Sequence, residues 1–588
     1  MLYPILNTLT TYRQWTEQFM GLDRRPRTYD GAFSAMGNMT GEPWPLLSSR
    51  GKRGLVAELE NPQGMCVLGK LAWIDGSTLY FDGKATEVNS LSLEENMLPK
   101  RMVTMGAYIL IFPDKVYFNT VKPEDHGSME RLWASEGSVT FTLCTMDGID
   151  YPKNKTTAGP SAPENPQDGD YWLDISGEKH TLYQWLDEWV GISSVYIKIS
   201  AEGIGRGINA QDNVTLSGIA YTGESESMEG QLALLNNTHV VQAAEDDFLV
   251  VLGVIDQQYT QAAGSVRADR KIPDMDFALE CNNRLWGCRY GEQDGETVNR
   301  IYASALGDFK NFQKYQGTSQ DSYFVNVGSD GPFTGAAVHR GNPCFFKSRF
   351  VHRIYGERPS NFQTQASECD GVQPGSDGTM VSYNGALYYL SVNGPQRFDS
   401  LPEPIGQALG EKKLRKGAAG QCAGQYYLSA QGEDGQWDLY VLSTERGIWH
   451  RQDDSRAIAF AALDGEIYML QSKGLLWALN GTKGEKEQED VTWWAETAVI
   501  GYEYPDHQYL SRFLLRMKLE EGAACTLSVQ YDSDGVWHKK GAIQGTGRVK
   551  TYLLPIVPRR CEHMQVRIEG HGGMRLYGVA RELAIGRE

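Results

Sequence analysis

A chain of 588 residues with 74 acidic and 56 basic side chains has a formal charge of −18, which argues against a protein that wraps nucleic acid by neutralising phosphates. Nine scattered cysteines without a C-x-x-C pair argue against a disulfide framework or structural zinc site, and apolar runs such as 248–255 fall far short of the roughly 18 residues a membrane-spanning helix needs. The 64 glycines, the 11% aromatic content and the scarcity of helical periodicity point instead to a turn-dense, all-β chain.

The opening residues, MLYPILNTLTTYRQW, show no basic region ahead of an apolar stretch, so no secretory leader is expected. Residues 1–50 read as an arm: Tyr12, Trp15 and Phe19 at helical spacing predict a short amphipathic helix, and the cluster Arg50, Lys52 and Arg53 is expected to be a solvated turn leading into the first blade. In 51–146, LAWIDGSTLYFDG and YILIFPDKVYFN each read as strand, turn and aromatic strand, with Tyr80 and Tyr117 37 residues apart. That interval suits a four-stranded propeller blade of about 40 residues.

At 147–194 the composition shifts. DGIDYPKNKTTAGPSAPENPQDGD is too rich in Pro, Gly, Asn and Asp to order itself as a core, and it leads into a mini-module carrying Trp172, Tyr183, Trp185 and Trp189. These four aromatics are the candidate binding residues, for a partner protein or a glycan, set against service as the module's own small core. Residues 195–262 hold five strand candidates and are expected to form a small β-barrel-like insert. Its Gly203, Gly205 and Gly207 follow a G-x-G-x-G spacing with no helix behind them, which sets a nucleotide loop aside.

The blade rhythm resumes over 263–482. Arg284 to Trp286 and Cys344 to Lys347 are expected as inner blade strands, with a Gly- and Asp-rich turn over 326–336, and Tyr389, Tyr427 and Tyr468 stand 38 and 41 residues apart. Two blades before the insert and four or five after it give a six- or seven-bladed β-propeller. Beyond the charged stretch GTKGEKEQED, residues 483–588 alternate over longer strands and are expected to form a β-sandwich or an elongated closing blade.

Chemistry is sparse. The ten histidines form no H-x-H or H-E-x-x-H pattern, Asp532-x-Asp534-Gly535 is only a fragment of a calcium loop, and no motif calls for a metal or cofactor. The enzymatic alternative is a glycan-cleaving propeller with carboxylates converging on its axis, for which Asp274, Asp276, Glu280 and Asp370 are the candidates.

Several stretches, FSAMGNMTGEPWPLLSSRGKRG, RKIPDMDFALECNNRLWGCRYG, ALGDFKNF, SDGPFTGAAVHRGNPCFFK and MQVRIEGHGGMRLYGVARE, resemble virion proteins of tailed bacteriophages and prophages of Clostridia-like bacteria. PENPQDGDYWLD with LYQW is similar to small modules of phage tail-fibre and tip proteins. The resemblance implies a structural component of the tail, a nozzle or connector or a tail-tip hub, assembled in the bacterial cytoplasm. It implies neck or tail proteins as partners, a homo-oligomer, passing contact with DNA in a channel, and no catalytic residue. The alternative is a glycan-binding or glycan-hydrolysing propeller that meets a host surface glycan.

Overall fold

A computed structural model describes residues 10–88, 91–92, 99–177, 179–293, 295–481, 483–501, 508–554 and 559–585. The expected arm at 1–50 and the terminal region at 483–588 therefore lie partly outside the described residues. The described residues are all-β apart from one helix, Glu226–Leu234, and a few short 3-10 turns. No helix among the described residues is long and apolar enough to cross a membrane.

Among the described residues, six four-stranded antiparallel sheets and one of five strands form the blades of a propeller. Blade 1 begins at Pro62–Leu68, blade 2 at Arg101–Met105, blade 3 at Phe277–Cys281, blade 4 at Phe333–His339, blade 5 at Val381–Tyr383, blade 6 at Leu414–Cys422 and blade 7 at Ala457–Leu463. Each of these first strands packs against the next, and that of blade 7 packs against that of blade 1, so they form the inner ring. Arg284–Gln293 and Asn342–Lys347, which contain the expected inner blade strands, are the second strands of their blades, one place out from the axis. Their apolar stretches Leu285–Cys288 and Pro343–Phe346 are buried throughout, whereas the inner strands Phe333–His339, Leu414–Cys422 and Ala457–Leu463 carry runs of glycine and alanine. A Cβ on Gly420 would stand 2.4 Å from the Cβ of Phe460 in the next blade.

Local sequence explains the hairpins. Asn384-Gly385 and Asp464-Gly465 both adopt positive φ at each residue, the type I′ geometry whose twist matches that of the flanking strands. The seam is not local at all. Blade 7 supplies three strands from its own segment, Gly54–Glu58 adds a fourth by pairing with Leu475–Ala478, and the short Lys486–Glu487 pairs on its far side, so the two ends of the propeller segment zip the ring shut.

The insert occupies the connection between blades 2 and 3. Eight strands follow one path, and Arg131–Ala134, Val139–Cys144 and Arg267–Arg270 belong to it although composition placed them in the propeller. Its core includes Val139, Phe141, Ile197, Val251 and, from the helix, Met228 and Leu232. Lys115 holds the root: its ammonium reaches Glu130 at 2.7 Å, Asp274 at 2.7 Å and the Ile272 carbonyl at 2.8 Å, tying the outgoing and returning chains to blade 2.

The described ends of the chain build a two-sheet sandwich. Thr10–Thr16 is a strand, not the expected helix, and pairs antiparallel with Met574–Ile585. Threonines at both of its ends favour an extended backbone, and a cross-chain ladder outweighs a helical stripe of three aromatics. Phe33–Gly37 pairs with Thr492–Thr497 in the second sheet. Sandwich and blades share one hydrophobic core, in which Trp449 and Tyr426 of blade 6 join Trp493, Phe513 and Leu527 of the sandwich.

The basic cluster at 50–53 is no solvated turn. Arg53 is 2% exposed and Arg50 is buried with it, both directed at Asp453. Burial, with Arg53 adding to it and Asp453 opposing, pushes Arg50 down to about 9.

Two buried histidines should make the fold acid-sensitive. His450 lies beneath Gly21 and Gly41 of the arm, and burial pushes it down to about 4. His352 donates to or accepts from Ser329 Oγ at 2.7 Å and is likewise pushed down to about 4, by burial and then by Lys347. Both stay neutral in the fold while the unfolded chain takes up protons near pH 6.5. Stability should therefore be intact above about pH 6.5 and fall towards pH 4. Urea unfolding at stepped pH checks this: His450→Gln should flatten the profile, and an unchanged profile would refute the assignment.

Candidate functional site

The mini-module is an insert within the insert, lying between Val139–Cys144 and Tyr196–Ser200. Thr156–Gly159 runs parallel to Tyr171–Asp174, followed antiparallel by Thr181–Trp185 and Trp189–Gly191. Strand alternation then puts Trp172, Tyr183, Trp185 and Trp189 on one face, with Leu173 and Leu182 buried on the other. Trp172 stacks on Tyr183 at 5.3 Å between centroids, Trp172 meets Trp189 at 5.7 Å, and Trp185 meets Trp189 edge-on at 5.2 Å. The indole N–H of Trp172 donates to the Gly159 carbonyl at 2.9 Å, which fixes that ring.

The four aromatics are thus brought together as the sequence suggested. They are first of all each other's packing partners, and all four remain half-exposed. Leu186 and Val190 at the adjoining turn are 50% and 43% exposed, and Val190, paired with Gln184, stands on the face opposite the rings.

A polar pin docks this sheet on the barrel-like part. His180 Nδ1 lies 2.5 Å from Asp256 Oδ1, Gln231 Nε2 donates to the same oxygen at 2.7 Å, and Ser227 Oγ donates to Asp256 Oδ2 at 2.7 Å. Burial works against the charge on Asp256, yet Gln231, Ser227 and His180 outweigh it and hold the carboxyl below its usual range. Serine and histidine both bind the aspartate and not each other, so this is a clamp and lacks the order of a nucleophile relay.

The axial acids do not converge as a pair. Asp274 is in the Lys115 node, Asp276 accepts from Arg289 at 2.7 Å and from the Tyr290 N–H at 2.8 Å, and Asp370 accepts from Asn393 at 3.0 Å. Glu280 accepts from the Asn283 N–H at 2.8 Å in the hairpin turn at the far end of the same strand as Asp276. Four residues of strand separate the Cα positions of Asp276 and Glu280 by about 13 Å. Glycosidase carboxylates stand about 5 to 9.5 Å apart.

The sequence offered no sign of what occupies the axis. Arg101, at the start of blade 2's inner strand, forms an ion pair with Asp377, in the turn Asp377–Thr379 ahead of blade 5, and its guanidinium lies 4.9 Å from the ring of Phe277. Blades 2 and 5 are separated by two blades on one side and three on the other, so their innermost elements meet only across the axis. The turn is anchored by Tyr426, whose hydroxyl donates to the Thr379 carbonyl at 3.0 Å. Among the described residues no cluster of His, Cys, Asp and Glu could hold a metal ion.

No family model matches the chain, and no curated protein matches it. Solved structures similar to it include the exo-β-1,3-galactanase of Phanerochaete chrysosporium, 10% identical over 52% of this chain and 94% of that one, with a TM-score of 0.21. BamB of Moraxella catarrhalis is 9% identical over 66% and 95%, with a TM-score of 0.25. The sialidase of Trypanosoma rangeli is 9% identical over 96% and 95%, with a TM-score of 0.21. Likeness at these levels carries nothing about activity.

Proposed function

We propose that this chain is a structural component of a tailed phage or prophage virion, a nozzle, connector or tail-tip hub that works by protein–protein assembly. The observation that carries the reading is the aromatic face of the mini-module: a half-exposed row of Trp172, Tyr183, Trp185 and Trp189 on a sheet of its own within the insert. Aromatic rings with few rotatable bonds are the side chains that anchor protein interfaces. The shared core of propeller and sandwich supports the same reading, because it gives the insert a stiff base. The resemblance of the segments outside the insert to tail proteins supplies the particle.

If copies form a ring, DNA passes through the space between subunits and not along the propeller's own axis, which Arg101 and Asp377 bridge. The charge of −18 suits such a wall, since it does not bind the phosphates that slide past it. The second reading, a glycan-binding propeller, is favoured by the same aromatic row.

Mass spectrometry and electron microscopy of purified particles test the proposal. The chain should be present in several copies, and Trp185→Ala with Trp189→Ala should reduce its incorporation about tenfold while leaving the thermal transition in place. Absence of the chain from particles would defeat the assembly reading.

A further inference from the structure

Where blade 6 meets the sandwich the surface opens into a cleft of about 570 Å³. That volume and that position, at the junction of two folded units, are typical of small-molecule sites. Two half-buried indoles line it, Trp437 at the start of Trp437–Ser443 and Trp494 within Thr492–Thr497. Gly37 stands opposite Trp494 in the sheet, and a Cβ there would lie 2.5 Å from the indole nitrogen, so glycine is what allows the ring to lie against the strand.

The polar lining is organised in advance. Asp438 accepts from Lys412 Nζ at 2.9 Å, from Arg451 Nε at 2.7 Å and from the Tyr440 hydroxyl at 2.7 Å, and Arg24 donates to the Tyr440 oxygen at 3.2 Å. Burial opposes the charge on Asp438, but Lys412, Arg451 and Tyr440 outweigh it and keep the carboxyl below its ordinary range. Gln436 and Asp454 are exposed at the same cleft, beside an exposed Asp434 that stands 3.4 Å from Lys412 Nζ.

We infer that this cleft binds a neutral oligosaccharide. A sugar ring offers an apolar C–H face for an indole and hydroxyls that both donate and accept, and the cleft supplies both partners: two indoles, and carboxylate, guanidinium and amide groups beside them. Asp438 and Asp453 are already paired with cations, and the exposed carboxylates that remain at the rim, Asp434 and Asp454, disfavour an anion. A charged lining would leave a lipid chain or an apolar peptide against polar groups it cannot satisfy. The inference is independent of the assembly proposal, because the cleft and the mini-module are built from different parts of the chain.

Isothermal titration calorimetry of the full chain with cellotetraose, chitotetraose and maltotetraose, and with inorganic phosphate and sialyllactose as charged probes, tests it. At least one neutral tetrasaccharide should bind at millimolar concentration or below. Its affinity should fall about tenfold in Trp437→Ala and measurably in the exposed-site variant Gln436→Ala, and be unchanged in Trp185→Ala. No binding by any neutral probe, binding of charged probes only, or full affinity in both cleft variants would overturn the assignment. Should Trp437→Ala fail to fold, Gln436→Ala decides alone. Loss of binding in Trp185→Ala would move the sugar to the mini-module and likewise overturn it.

Discussion

Replacing Arg53 by leucine should destabilise the chain by about 3–5 kcal/mol in equilibrium urea unfolding, the usual cost of breaking a buried ion pair on one side. Arg53 is 2% exposed, and its guanidinium reaches Asp453 at 2.8 Å, Gln452 at 2.9 Å and Ser455 at 3.2 Å. Leucine would leave the Asp453 carboxylate with Arg50 as its remaining cation, at 3.5 Å. The position matters beyond its own contacts: Arg53 directly precedes the strand Gly54–Glu58 that closes the ring, while Arg50 also holds Asn38 of the arm at 2.7 Å and Gln488 at 2.9 Å. One node therefore registers arm, seam and blade.

The same node has a pH signature. Burial works against ionised Asp453, but Arg53, Ser455 and Arg50 outweigh it, so its folded pKa lies below the unfolded one. Its contribution is present above about pH 4 and is lost as the pH falls through the folded pKa. Arg53→Leu should remove most of that acid-dependent part. Arg53→Leu combined with Asp453→Leu should recover only part of the lost stability, because the buried Arg50 guanidinium then keeps Asn38 and Gln488 but loses its carboxylate. A single variant within about 1 kcal/mol of the parent would show that the node is solvated and unimportant.

Trp449→Ala should cost about 3–5 kcal/mol and lower the calorimetric transition, the range found when a large aromatic leaves a closed core. Trp449 is fully buried, with its indole N–H donating to the Ile405 carbonyl at 2.8 Å and its backbone carbonyl accepting from Leu22 at 2.7 Å. The ring packs edge-on against Tyr440 at 6.3 Å and Tyr426 at 6.5 Å. It stands where the arm, blades 5 and 6 and the sandwich contribute to one core. The cavity should uncouple them, so that the calorimetric trace separates into a sandwich component and a propeller component. Trp185→Ala, at a half-exposed ring, is the control and should shift the transition far less. Equal shifts in the two variants would contradict a shared core.

Periodicity and turn chemistry carried the blades. Alternating apolar runs and pairs such as Asn384-Gly385 and Asp464-Gly465 encode hairpins locally, because φ > 0 at both turn residues and a buried two-sided strand leave few other conformations. The aromatic cluster of the mini-module was legible for the same reason: its four rings lie within 18 residues on three short strands. The Pro- and Gly-rich stretch marked where the mini-module is let into the chain, but not that Arg131–Ala134 and Val139–Cys144 pair with strands beyond it.

Only the tertiary structure decided the long-range features. Thr10–Thr16 is a strand because Met574–Ile585 lies beside it, Gly54–Glu58 completes blade 7 from the far end of the propeller segment, and Arg50 and Arg53 are buried because Asp453 comes to meet them. Arg101 reaches Asp377 because the ring brings blades 2 and 5 to opposite sides of one narrow axis. In each case the two members are hundreds of residues apart, and neither carries a local mark of the other. A residue's neighbours along the chain set its backbone preference and which face it presents, whereas closing a ring and joining the termini are set by the burial and hydrogen bonding gained when distant segments meet.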